Sequence, residues 1–278
     1  MAEPDPALEP LFLHEAVMTE AVYREYRFGQ VALFSTPAPD KQTCNEDSAM
    51  VVPVDEQRGI LAIADGVGGQ PAGHQASSTA LATLAESIRS SVEGGLDEGG
   101  MREAILAGFD LANRAVIQLG TGAMTTLAVV EIAGRTLRTY HVGDTEVLLF
   151  GKRGKMKLQT ISHSPVAYAV EAGLLNEKEA MVHEDRHLVS NVLGDESMRV
   201  EMSSTVELSA QDTLVAASDG LTDNLRAAEI VEKMRLGPLP KAVRVLVEEC
   251  QKRMRSPAEG RPSKPDDLTL LAYRPPRT

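Results

Sequence analysis

ILAIADGVGGQPAGHQASS, residues 60–78, reads as a strand, a turn and the start of a helix. The apolar run Ile60 to Ala64 has the length and bounds of a buried strand, and it ends on Asp65 and Gly66. Glycines at 66, 68 and 69 give the backbone freedom and remove side chains that would block an approaching ion or phosphate. The spacing is neither the G-x-G-x-x-G of a dinucleotide fold nor the Gly-Lys-Ser/Thr of a P-loop, so nucleotide binding has no support. Taken alone, the stretch is also satisfied by a strand-to-helix turn whose glycines are there for steric reasons.

Other strand ends change that balance. Asn45, Glu46 and Asp47 precede a strand expected over 49–54, and Gly143 and Asp144 close one beginning at Thr136. Ser218, Asp219 and Gly220 follow the apolar run 213–217, and Asp266 and Asp267 open a strand expected over 268–273. Carboxylates gathered unpaired in a partly dehydrated site repel one another. Divalent cations would offset the repulsion, and oxygen ligands without His or Cys spacing favour Mg²⁺ or Mn²⁺ over zinc.

The 278 residues suffice for one large domain or two small ones, and 43% hydrophobic content is ordinary for a globular core. A net charge of -12 argues against unspecific binding to nucleic acid or anionic membrane, and sparse aromatics with no tryptophan leave little for stacking on single strands. Cys44 and Cys250 are too few for a disulfide framework, and there is no secretory signal or long apolar span, so a cytoplasmic location is expected. Cys44 reads as a small neutral filler beside Glu46.

Along the chain, residues 1–27 are expected to be an N-terminal arm, with 17–26 as a short helix or an edge strand, and 28–278 a single α+β domain. Helical spacing over 75–88 and 101–119, broken by glycines at 94–100, predicts an antiparallel helix pair over a sheet. Residues 125–160 read as a β-meander turning at Gly134 and Gly154. Residues 161–195 form a long polar insertion, read as a solvated flap because His163, His183 and His187 fit no usual zinc spacing. Strand returns over 200–208 and 213–217. Helices follow over 221–234 and 240–254, then a flexible loop at 256–265 and the strand at 268–273.

In order, NED (45–47), ADGVGGQPAGHQAS (64–77), TT (125–126), VGDTEVLLF (142–150), SHS (162–164), EAMVHEDRH (179–187), SDGLTDNL (218–225) and DDLTLL (266–271) resemble the metal-dependent protein phosphatases of the type 2C family. Each piece is weak alone, and the ordered set over 31–273 is specific. The resemblance implies a four-layer α-β-β-α sandwich, two antiparallel sheets flanked by helical hairpins. It also implies two Mn²⁺ or Mg²⁺ ions at one end. On that pattern Asp65 bridges both ions, Glu46 and the Gly66 carbonyl serve one, Asp219 and Asp266 serve the other, and Asp144 helps hold a third, weaker ion. Asp47 holds metal-bound water from outside the ligand shell. The implied reaction is hydrolysis of phosphoserine or phosphothreonine in phosphorylated protein substrates by a water activated between ions about 3.5–4 Å apart, with no protein nucleophile. A Ser/Thr kinase is the implied counterpart, and a monomer the implied state.

The chain departs from the pattern twice. Gln42 stands where the family carries an arginine that grips the phosphate, leaving Lys41 or Arg186 as candidate phosphate-binding groups. Val67 stands where some relatives carry a histidine proton donor, so the leaving group would be protonated by water. The alternative that Gln42 raises is a weakly active regulatory or binding module on the same fold.

Overall fold

The computed structural model describes residues 8–67, 72–95, 99–181 and 183–276. Among them the order is β1 (Leu11–His14), β2 (Val22–Tyr26), β3 (Gly29–Thr36), β4 (Asp47–Pro53), β5 (Arg58–Asp65), α1 (Gly73–Glu93), α2 (Gly100–Gln118), β6 (Leu127–Ala133), β7 (Thr136–Val142), β8 (Glu146–Phe150), β9 (Met156–Gln159), α3 (Pro165–Glu171), α4 (Glu177–Ala180), β10 (Glu201–Met202), β11 (Val206–Glu207), β12 (Thr213–Ala217), α5 (Asp219–Thr222), α6 (Ala227–Met234), α7 (Leu239–Arg255) and β13 (Leu268–Arg274). One sheet runs β1-β4-β5-β6-β7-β10, with β11 also on β7, and the other β2-β3-β13-β12-β8-β9.

The apolar run at 60–64 shows why the strands stack into layers. Ile60, Ala62 and Ala64 pack with Ala76, Leu84 and Phe109 of the helical pair, whereas Leu61 and Ile63 pack with Leu149, Leu214 and Leu271 of the other sheet. Both faces of β5 are covered, so the alternation that marks a half-buried strand vanishes into a continuous run. β13 repeats the device: Leu268, Leu270 and Ala272 meet Leu246 and Cys250 of α7, while Leu271 and Tyr273 turn inward. Helices on each outer face complete the expected four layers. Between α1 and α2, Gly108 permits the approach, since a Cβ there would lie 2.5 Å from Leu84 Cδ1.

Several expectations are corrected. The arm at 1–27 is part of the sandwich over its described residues: β1 pairs with β4, and β2 pairs with β3 as the edge strand that is one reading of 17–26, so this segment edges both sheets. The two strands are short edge strands of four and five residues, so each offers little pattern to read. The meander holds for β6–β7 and β8–β9, but β7 and β8 belong to different sheets. Gly143, at φ 102 and tight against Thr126, makes the turn that carries the chain across. The strand expected over 200–208 reduces to two two-residue pairings with β7. The helix expected over 221–234 is broken into α5 and α6. The loop at 256–265 is pinned: Asn224 Nδ2 donates to the Lys264 carbonyl at 2.8 Å, and Lys264 N donates to Asn224 Oδ1 at 2.9 Å. Gly68 and Gly69 lie outside the described residues. Among the described residues, no helix is long and apolar enough to cross a membrane.

Candidate active site

Five chain segments deliver carboxylates to one end of the sandwich, and backbone hydrogen bonds fix the first of them. Asp47, opening β4, stands opposite Asp65, closing β5, in antiparallel register. The Asp65 carbonyl accepts from Thr126 N and Thr125 Oγ1, both at 2.8 Å, and Asp65 N donates to Thr126 Oγ1 at 3.0 Å. Asp144 follows the β7–β8 crossover, Asp219 opens α5 directly after β12, and Asp266 precedes β13. Asp47, Asp219, Asp144 and Asp266 all lie close enough for their charges to act on Asp65.

Glu46 sits at the flank of this group through tight glycine contacts. Gly66 N donates to the Glu46 carbonyl at 3.2 Å, and Ser77 Oγ donates to the same oxygen at 2.6 Å. A Cβ on Gly66 would fall 2.5 Å from the Gly73 carbonyl carbon, and one on Gly73 would fall 2.6 Å from Glu46 Oε1. At both positions the requirement is close approach, not a left-handed backbone.

The carboxylates strain against deprotonation. Burial, reinforced by Asp267, raises the Asp47 pKa to about 7, and burial with the charge of Asp223 raises Asp144 to about 6. Asp65 and Asp219 are pushed well above the ordinary carboxylate range, first by burial and then by their acidic neighbours. Two ammonium groups partly compensate. Lys264 Nζ lies 2.6 Å from Asp219 Oδ2, 2.9 Å from Asp223 Oδ2 and 3.0 Å from Asp266 Oδ2. Lys41 Nζ lies 2.8 Å from Glu46 Oε2 and 2.6 Å from Asp267 Oδ2. Burial opposes the Lys41 charge, but its hydrogen bonds to Asp267 and Glu46 prevail and lift its pKa to about 12.

This donor set fits hard divalent ions. It is built of oxygen atoms, it is charged well beyond what its own lysines neutralise, and it already draws a cation among Asp219, Asp223 and Asp266. Asp47 has one oxygen held by Ser218 Oγ at 2.9 Å, while its other oxygen, Oδ1, is buried with no hydrogen-bond partner among the described residues. An orphaned buried carboxylate oxygen calls for a proton-bearing neighbour such as water.

Of the residues singled out from sequence, Asp47, Asp65, Asp144, Asp219 and Asp266 share one electrostatic cluster, and Glu46 and Gly66 border it. Lys41 is turned onto carboxylates. Arg186 Nη1 and Nη2 donate to the Met181 and Ser263 carbonyls, and the residue lines a cavity of about 310 Å³ together with Asp144 and Asp219. Gln42 is exposed and donates to the Asp40 carbonyl. The flap is anchored, not simply solvated: buried His163 Nδ1 accepts from Gly143 N at 3.1 Å and Asn191 Nδ2 at 2.8 Å. Sequence reasoning missed Lys264 and Asp223, and it named Ser218 and Asp267 only as members of strand-end clusters, without a role. Asp223 and Ser218 lay inside a quoted motif, but nothing in a proline-bearing loop marked Lys264.

The family model for Protein phosphatase 2C matches residues 38–255. Protein phosphatase PhpP of Streptococcus pneumoniae is 30% identical over 201 residues, covering 70% of this chain and 80% of PhpP. The crystal structure of the serine/threonine phosphatase PstP/Ppp of Mycobacterium tuberculosis aligns at a TM-score of 0.69 with 26% identity, over 89% of this chain and 98% of PstP. The catalytic domain of PstP in complex with two manganese ions aligns at 0.67 with 25% identity, over 88% and 96%. With the family match spanning most of a two-sheet chain whose strand ends bring these carboxylates together, the protein belongs to the protein phosphatase 2C family.

Proposed function

We propose that the chain is a metal-dependent protein serine/threonine phosphatase that hydrolyses phosphoserine and phosphothreonine in protein substrates. The observation carrying the proposal is the convergence of Asp47, Asp65, Asp144, Asp219 and Asp266, whose mutual repulsion divalent cations would relieve. The similarity to PhpP and to manganese-bound PstP supports the same reading.

In this assignment Asp65, Glu46, the Gly66 carbonyl, Asp219 and Asp266 would hold two ions, and Asp144 would help hold a third, weaker one. When bound, Mn²⁺ or Mg²⁺ supplies Lewis acidity and lowers the pKa of water towards neutrality. The chain's own part is orientation. Ser218 fixes one oxygen of Asp47, leaving Oδ1 to accept a hydrogen bond from the attacking water. Lys264 holds Asp219, Asp223 and Asp266, and would yield those carboxylates to a bound ion. Arg186 borders the cavity beside Asp144 and Asp219 and is placed to meet substrate phosphate or its flanking residues. The reading extends to a Ser/Thr kinase as the opposing enzyme, a monomeric chain and a cytoplasmic location.

The test is phosphate release from a phosphothreonine peptide and an aryl phosphate, with Mn²⁺ titrated and then removed by EDTA. Turnover should depend on the ion and fall at least about 1,000-fold in Asp219→Ala, equivalent to about 4 kcal/mol of transition-state stabilisation. Metal-bound, folded wild type without turnover would favour the weakly active binding module instead.

A further inference from the structure

Outside the carboxylate cluster, a second set of ligating atoms meets at the flank of Glu46. Glu15, Cys44 and His74 each present one donor atom, and the three atoms lie within 4.8 Å of one another. His74 Nε2 is 3.7 Å from Glu15 Oε1, and His14 Nε2 lies 3.8 Å from the same oxygen. We propose that Glu15, Cys44 and His74 form a binding site for a thiophilic divalent ion, of which Zn²⁺ is the type, separate from the phosphatase centre.

The donor chemistry carries the assignment. A thiolate, an imidazole nitrogen and a carboxylate oxygen are the ligand types zinc takes, whereas Mg²⁺ and Mn²⁺ prefer oxygen alone. Bonds of about 2.0–2.3 Å in a tetrahedron put ligand atoms about 3.3–3.8 Å apart, so the observed cluster needs only side-chain adjustment. Three protein ligands leave a fourth position for water, or for His14 if its ring turns inward.

The backbone prepares the meeting. Glu15 is held at φ 47, a left-handed conformation that a glutamate rarely adopts. That turn lies between β1 and β2 and aims the carboxylate across to the loop before β4 and the first turn of α1. Cys44 is half-buried there, and His74 is the second residue of α1. By contrast, the other His-rich group, His141, His163 and Glu201, has three of its four ring nitrogens engaged: His141 Nε2 with the Ile161 carbonyl, His163 Nδ1 with Gly143 N and Asn191, and His163 Nε2 with Glu201. That group is a hydrogen-bonded brace.

An ion at Glu15, Cys44 and His74 would tie three segments that are remote in sequence. Two of them adjoin the carboxylate centre: Cys44 is two residues before Glu46, and His74 follows Gly73, the residue against which Glu46 Oε1 is packed. Occupancy therefore restrains the Glu46 side of the centre. The assignment stands on these residues and not on the proposed phosphatase reaction.

The test uses the full chain, stripped with chelator and held in excess Mg²⁺ to occupy oxygen sites, then titrated with Co²⁺. A thiolate-to-cobalt charge-transfer band should rise to one equivalent and be abolished by Zn²⁺. Cys44→Ser should lose the band, Cys250→Ser should retain it, and Glu15→Gln and His74→Gln should each weaken Co²⁺ binding more than about tenfold. Melting temperatures measured alongside confirm that each variant is folded. Absence of the band in folded wild type, its persistence in Cys44→Ser, or indifference to both Glu15→Gln and His74→Gln would overturn the assignment.

Discussion

Replacing Lys264 by methionine removes one ammonium from three carboxylates while keeping the length of the side chain. At contacts of 2.6, 2.9 and 3.0 Å each pair is worth about 6 kcal/mol by Coulomb's law at an effective dielectric of 20, before desolvation is subtracted. Measured costs of breaking a buried pair run to about 3–5 kcal/mol. Asp266 is 37% exposed, and the orphaned carboxylates can take up a proton, so the lower figure of about 3 kcal/mol applies. In EDTA the Lys264→Met protein should therefore melt roughly 6 °C below wild type. With Mn²⁺ the order should close or invert, because an entering ion no longer has to displace an ammonium. If half of that energy reappears in binding, Mn²⁺ affinity at this side rises about tenfold. Calorimetric scans with and without Mn²⁺, joined to a Mn²⁺ titration, read both quantities. A variant as stable as wild type in EDTA, with unchanged Mn²⁺ affinity, would show that Lys264 is a surface residue with no hold on the centre.

Gly220→Ala should be among the most damaging single-methyl changes, since the new Cβ would lie 1.8 Å from the Asp267 carbonyl oxygen; denaturant melts should show a loss of about 3 kcal/mol or more, with Mn²⁺ binding impaired as α5 is pushed from β13. Gln42→Arg should lower KM for an aryl phosphate about tenfold with little change in kcat, the value of one bidentate charge-assisted contact, and an unchanged KM would mean that position 42 does not face substrate. The Arg253 guanidinium beside Glu229, at 2.6 Å, holds that carboxyl below its ordinary 4.5. A lowered folded pKa stabilises above the unfolded value and ceases to do so as pH falls through the folded one. Arg253→Met should thus cost about 2 kcal/mol near pH 7 and less below about pH 4, and a penalty independent of pH would assign the loss to packing.

The layers of the fold were legible where strands are covered on both faces, because continuous runs such as 60–64 and 268–273 have no other simple use. The apolar spacing in α7 was equally clear, and Val243, Leu246, Val247 and Cys250 are buried as that spacing requires. Edges were not: β1 and β2 are only four and five residues long, and their pairing is a property of β4 and β3 more than of their own residues. The break between β7 and β8 was hidden because Gly143 turns the chain into another sheet with the same signal that makes a hairpin. At the candidate site, the carboxylates stood out as strand ends. Lys264 did not, since its meaning comes from Asn224 clasping the backbone beside it, a contact no local pattern announces.

β13 lies in the middle of its sheet, between β3 and β12, and its Thr269 hydroxyl meets Ser35 across 234 residues of sequence. A ribosome therefore releases β3 long before its partner exists, and for most of synthesis that strand has β2 on one side and an open edge on the other. Asp266 arrives with the same late segment. Nascent chains can assemble the β4–β5–β6–β7 sheet early, but they cannot close the second sheet or gather the full set of carboxylates until residues 266–274 have emerged. With the proposed ligand set, competence to hold ions would thus be timed to the end of folding, and a protein interrupted before that point is left with an unpaired strand for chaperones to shield.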